Sequence, residues 1–163
     1  MTGARPAEAG ARGRAPWGAA LAWGGLAGLL LVALVFAAWG IASAALDVDV
    51  VPEGHSRFLY PAGLLIAGLA VAALVAAARR GGIRRDRAEG SRQLYAALAG
   101  AGVAWLAFGL GVAIVAAAAP GELDRESPAA TAAVLGLQRF AFAVPASALP
   151  IILGARVAIA RGR

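Results

Sequence analysis

Four long apolar stretches divide the chain, and the polar segments between them alternate between acidic and basic. The stretches cover about residues 17–46, 58–78, 94–119 and 132–160, and none has the strict alternation of a half-buried strand. A helix needs about 20 apolar residues to cross the roughly 30 Å hydrocarbon core of a bilayer, and each stretch reaches that length. The pattern predicts an all-α integral membrane protein, a four-helix bundle of transmembrane helices in two hairpins.

The first stretch has 30 residues. As a helix it is about 45 Å long, so it must tilt or project beyond the hydrocarbon. Gly24 and Gly28 stand four apart on one face, the small-xxx-small spacing that lets a second helix approach closely. Trp17 and Trp39 suit the two interfaces, and Trp23 suits an interface or the interior. A secretory signal peptide cut near IASAAL at 41–46 is the competing reading. The run is about twice the usual signal core of about 7–15 residues, which favours an uncleaved span.

The second stretch opens with Tyr60 at the level of an aromatic belt and Pro61 in the first turn. The third holds Gly100, Gly102, Gly109 and Gly111. Lipid offers the backbone no other hydrogen-bond partner, so helix is expected despite the glycines. Gly100 and Gly109 are the expected close-packing positions. The fourth stretch is interrupted by Gln138 and Arg139 and contains Pro145 and Pro150. Each proline removes a backbone donor and is expected to kink the helix, with Ser147 between them placed to bond a freed carbonyl.

The polar segments fix sidedness. Residues 1–16 lack an apolar period and read as a disordered cytoplasmic tail, followed by the transmembrane domain over 17–160. The basic segment 79–93 carries Arg79, Arg80, Arg84, Arg85, Arg87 and Arg92 against Asp86 and Glu89. Tail, basic segment and C-terminal end together hold twelve Arg and three acids, whereas 47–57 and 120–128 hold Arg57 and Arg125 against six acids. Arginine beside a span stays on the cytoplasmic side, so both termini are expected inside a cell membrane, with Arg79, Arg80, Arg84, Arg85 and Arg87 as topology determinants.

The halves also share a plan. A shift of 82 places Trp23 on Trp105, Arg57-Phe58 on Arg139-Phe140, Tyr60 on Phe142 and Arg79 on Arg161. A tandem two-helix duplication is the expectation this raises, related by an axis along the membrane normal.

Composition narrows the chemistry. With 61% hydrophobic residues and a mean hydropathy of +0.75, the chain lies outside the range of soluble domains. It has no cysteine, which excludes disulfides and thiolate metal sites, and a single histidine, which excludes bis-histidine haem. The net charge of +6 is segregated by segment rather than gathered on one surface, so nucleic acid is not an expected partner. All fifteen basic residues are Arg, and with abundant Ala and Gly this points to GC-rich, bacterial coding.

Candidate sites are few, and neither a cofactor nor catalysis is expected. Asp47, Asp49, Glu53 and His55 offer oxygen and imidazole ligands for a divalent cation, but their spacing matches no metal motif. Arg139 would lie about 15 Å deep in a helix beginning at Ala129, or at the headgroups if the crossing begins at Phe140. No span carries a carboxylate, the group proton-coupled carriers use inside the bilayer. Two functions remain. The first is an accessory, assembly or scaffold subunit acting through helix contacts with other membrane subunits or with itself. The second is a small carrier or channel for an anion or small solute at Gln138, Arg139 and Ser147.

Overall fold

A computed structural model describes residues 16–48, 50, 58–81, 89–118 and 127–161. Residues 1–15, Asp49, Glu53, His55, Arg84, Arg85, Arg87 and residues 120–126 of the second acidic segment lie outside the described residues. The described chain is helical throughout, without strands: α1 (Trp17–Leu46), α2 (Leu59–Gly81), α3 (Glu89–Ala118), α4 (Pro128–Gly136), a 3-10 turn (Arg139–Phe142) and α5 (Ala143–Arg161). Four segments are long and apolar enough to cross a membrane, with mean hydropathies of 2.4, 2.2, 2.1 and 1.8, the last formed by the 3-10 turn and α5 together.

Neighbours along the chain pack antiparallel. α1 lies on α2, α2 on α3 and α3 on α5, and contacts between α1 and α5 close the ring. The short α4 lies against α3.

Glycine sets how closely these helices approach. A Cβ on Gly24 would stand 2.4 Å from the Ala72 carbonyl oxygen, and one on Gly28 would stand 2.6 Å from that of Gly68. Backbone therefore meets backbone along the α1–α2 seam. The α2–α3 seam repeats the device: a Cβ on Gly63 would meet the Phe108 carbonyl oxygen at 2.8 Å, and one on Gly111 the Gly63 Cα at 2.7 Å. Gly100 faces the Ile152 side chain of α5. Gly109, expected to pack, has nothing within 4 Å of its Cβ position, and Gly111 makes the contact instead. Two residues are 200° of helix, enough to turn one glycine into the seam and the other out of it.

The core draws on one or two residues per turn of each long helix. Leu31, Val35, Leu64, Val71, Ala104, Val112, Val144 and Ala148 are fully buried. Above them sits an aromatic cluster. Trp39, Tyr60 and Phe108 meet edge to face with centroids 5.3–6.4 Å apart, a geometry that contributes about 0.5–1.5 kcal/mol per pair beyond burial. Trp39, expected at an interface, is thus a core residue, only 4% exposed.

Helix limits differ from the apolar limits. α2 continues through Arg79 and Arg80 to Gly81, and α3 begins at Glu89 rather than Leu94. Hydropathy marks where apolar side chains end, whereas helical hydrogen bonding continues for another turn. The fourth span departs most, because its break falls at residues 137–138, upstream of both prolines. Pro145 occupies the first turn of α5, where a backbone N–H has no intrahelical partner to lose. Only Pro150 lies in the helix interior.

The burial pattern of the first helix pair does not follow the 82-residue register. Trp23 stands near the start of α1 beside Arg79, whereas Trp105 lies well inside α3 and bonds the broken fourth span. The buried positions of α1 (20, 24, 27, 28, 31, 35 and 39) fall on buried positions of α3 at a shift of 73, not 82.

These seams make the glycines unequal. Gly28→Ala and Gly111→Ala are expected to lower stability by about 1–3 kcal/mol, the usual penalty for overpacking. Gly25→Ala and Gly109→Ala, with open space at the Cβ position, are expected to be neutral or slightly stabilising. Thermal unfolding of the four variants in one detergent, followed by circular dichroism, checks the ranking.

Candidate functional site

The described polar chemistry gathers at the two ends of the bundle. At one end the fourth span is broken. α4 is capped at its start by Ser127, whose hydroxyl accepts from the Ala130 N–H at 3.2 Å, and it closes at Gly136. Gln138 is extended at φ −70°, ψ 152°, and the 3-10 turn then leads into α5. A break of this kind frees backbone carbonyls within an apolar bundle.

Each of the other three spans sends one aromatic donor to the break. Trp39 of α1 donates its indole N–H to the Phe140 carbonyl at 2.7 Å. Trp105 of α3 donates to the Gly136 carbonyl at 2.9 Å. Tyr60 of α2 donates its hydroxyl to the Gln138 side-chain oxygen at 2.8 Å. Indole suits this task because it carries a single donor on a large apolar body. The break is therefore a hydrogen-bonded junction joining all four spans.

Among the sequence candidates, Gln138 belongs to this junction as an acceptor. Arg139 opens the 3-10 turn with an exposed side chain, its guanidinium 5.2 Å from the Phe140 ring centroid. It stands at the same end as the first turn of α2, not about ten residues into a continuous helix. Ser147 is half-buried on α5 and, among the described residues, makes no hydrogen bond to a freed carbonyl. Gln138, Arg139 and Ser147 line neither of the two cavities described below.

Of the four candidate cation ligands only Asp47 is described. It is exposed and ends α1 in the left-handed conformation at φ 51°, ψ 47°, with its N–H on the Ser43 carbonyl. Asp tolerates this conformation better than most residues, so Asp47 has a local structural role. Ser43 completes the turn by donating its hydroxyl to the Val48 carbonyl at 2.8 Å. No cluster of three or more metal-ligating side chains occurs among the described residues.

The opposite end carries Arg79, Arg80, Arg92, Arg156 and Arg161. Arg80 lies over the Trp17 ring, 3.2 Å from its centroid, and Arg79 lies 5.5 Å from the centroid of Trp23. Both contacts bind the end of α2 to the start of α1, through pairs worth about 0.5–2 kcal/mol each. Arg156 of α5 donates its Nε–H to the Gln93 side-chain oxygen of α3 at 2.6 Å.

Two cavities are lined by described residues. One of about 290 Å³ lies among α2, α3 and α5 near the arginine-rich end, and its lining includes Arg156. The other, about 430 Å³, is an open apolar groove between α3 and α4 lined by Trp105, Gly109, Ala113, Ala129, Ala133 and Gly136 among others. No protein-family model, curated protein or solved structure matches this chain.

Sequence reasoning missed the roles of Trp39, Trp105, Tyr60 and Gln93. A usable signal was present, since a polar break in an apolar span requires donors from its neighbours.

The junction has measurable consequences. Tyr60→Phe is expected to lower stability by about 0.5–1.5 kcal/mol, the net worth of one hydrogen bond. Trp39→Phe, which leaves a buried carbonyl without a donor, is expected to lower it by about 1–3 kcal/mol. Both should raise amide exchange at residues 136–142 more than in α2. Thr131 of α4 is the opposite case: its hydroxyl is buried with no partner among the described residues. Thr131→Val is expected to raise the unfolding midpoint, because it replaces an unpaired polar group with an isosteric apolar one.

Proposed function

We propose that this chain is a multi-pass protein of a bacterial cell membrane, with both termini and the 79–93 segment in the cytoplasm. In this reading it acts without catalysis, as an accessory, assembly or scaffold subunit that works by helix–helix contact. Support for the orientation comes from charge. Among the described residues, five arginines gather at one end of the bundle, and only Arg139 stands at the other.

The observation that carries the subunit reading is a second glycine face on α1. Gly24 and Gly28 are used up against α2, whereas Gly18, Gly25 and Gly40 have nothing within 4 Å. Ala22, Leu29, Ala33 and Phe36 continue this outward face and are exposed. Only 17% of the most apolar stretch of α1 is buried, against 39%, 33% and 33% in the other spans. Small residues on a lipid-facing helix allow close approach of another helix, and association in lipid depends on such packing. The carrier reading has no comparable support, because Gln138 is held by Tyr60 and Arg139 points outward.

Absence of native cysteine makes both parts testable on single-cysteine variants. A membrane-impermeant thiol reagent applied to intact cells should label a cysteine at position 55 and spare one at position 84. The reverse labelling overturns the orientation. Gly25→Leu should abolish co-purification of a partner subunit, or of a second copy, in mild detergent while leaving the unfolding midpoint unchanged. Arg139→Ala should alter neither. A chain that purifies alone and monomeric, and whose Arg139→Ala variant loses solute flux in vesicles, overturns the subunit reading.

A further inference from the structure

The cavity at the arginine-rich end is built differently from the rest of the bundle. Its walls are single helical faces: Ala96, Ala99, Gly100 and Val103 on α3, and Ile152, Ala155, Arg156 and Ile159 on α5, with Leu74, Val75 and Ala78 of α2 completing the lining. Apart from Val103, the α3 wall is alanine and glycine, and about 290 Å³ is left open. Positions 96–103 and 152–159 each cover about 10 Å of helix axis. The space is thus an elongated apolar slot running from the end of the bundle toward its middle.

One charged group enters that lining. Arg156 is half-buried, and its Nε–H is committed to the neutral Gln93 oxygen. That bond orients the guanidinium without neutralising it, and no carboxylate among the described residues lies within ion-pairing distance. Among the described residues, this guanidinium in the lining of an apolar slot has no anionic partner. Arginine supplies two further NH₂ groups in a planar fork that matches the oxygens of a phosphate.

We infer that this slot binds an anionic phospholipid, with the phosphodiester on Arg156 and the upper part of one acyl chain between α3 and α5. Charge and shape select the occupant together. The lining is apolar apart from Arg156, which lies between Ile152 and Ile159 on the α5 wall, and the nearby end of the bundle already carries Arg79, Arg80, Arg92 and Arg161. Basic pockets between helices on the cytoplasmic side bind anionic headgroups in this way. The inference needs membrane placement but does not depend on the subunit function.

The test is native mass spectrometry of the full chain released from detergent micelles doped with phosphatidylglycerol, phosphatidylcholine or palmitate. Phosphatidylglycerol should remain bound one per chain, at least about tenfold more tightly than phosphatidylcholine, corresponding to about 1.4 kcal/mol. Arg156→Gln should remove that preference, and Arg156→Lys should retain part of it. Ala99→Leu, which fills the slot from an exposed position on α3, should reduce binding of phosphatidylglycerol with Arg156 intact. Circular dichroism and the unfolding midpoint establish that each variant is folded. Equal retention of the two phospholipids, preferential retention of palmitate, or undiminished phosphatidylglycerol binding in folded Arg156→Gln and Ala99→Leu overturns the inference.

Discussion

Inside lipid, every backbone N–H and C=O must find a partner within the protein, since no water is present to supply one. Three of the segments long and apolar enough to cross a membrane would meet this requirement as continuous helices. The fourth, Arg139–Arg161, is preceded by a break between α4 and the 3-10 turn, which leaves carbonyls at that end of the bundle without helical partners. The rest of the bundle is arranged around that defect. Trp39 and Trp105 supply indole donors to the carbonyls of Phe140 and Gly136, and Tyr60 holds the Gln138 side chain. Each donor comes from a different helix, so closing the break also fixes the positions of α1, α2 and α3. The edge-to-face cluster of Trp39, Tyr60 and Phe108 holds two of the donors in place.

Glycine and arginine divide the remaining work. Gly24, Gly28, Gly63 and Gly111 bring helix backbones into contact along two seams, which supplies the dispersion energy that the hydrophobic effect does not provide between helices in lipid. Arginine marks one end. There Arg80 and Arg79 cover Trp17 and Trp23, and Arg156 crosses from α5 to Gln93 on α3. The two ends thus differ in kind: one is closed by neutral hydrogen bonds, the other by cations on aromatic rings and an amide. The outward face of α1 and the slot beside Arg156 are left over from this arrangement, and on them rest the proposed helix partner and the proposed lipid.

Much of the architecture was legible in the residues. Runs of 21–30 apolar residues specify spans almost regardless of detail, and Gly24 and Gly28 at a spacing of four announce a packed face. Spacing alone could not choose between Gly109 and Gly111, since both lie on α3 and only the rotation of that helix decides which faces α2. The prolines misled for a similar reason. Pro145 reads as a helix breaker, yet it stands in a first turn where it disturbs nothing. The true break followed from donors located about 30 to 100 residues away in sequence, which no local pattern encodes. Trp39 looked interfacial because tryptophan near a span end usually is, whereas here its N–H is needed in the interior.

The central claim is that lipid solvates one face of these helices while glycine seams and the aromatic junction bury the other. A nitroxide scan along α1, with one spin label at a time in a chain free of native cysteine, measures this directly when collision rates with oxygen and with a water-soluble nickel chelate are compared in bilayers. Labels at 21, 26, 29, 30 and 34 should be accessible to oxygen and shielded from nickel, and labels at 24, 28, 31 and 35 shielded from both, repeating about every 3.6 residues. Nickel reaching positions 26–34 as readily as oxygen, or a scan with no helical repeat, would contradict the account.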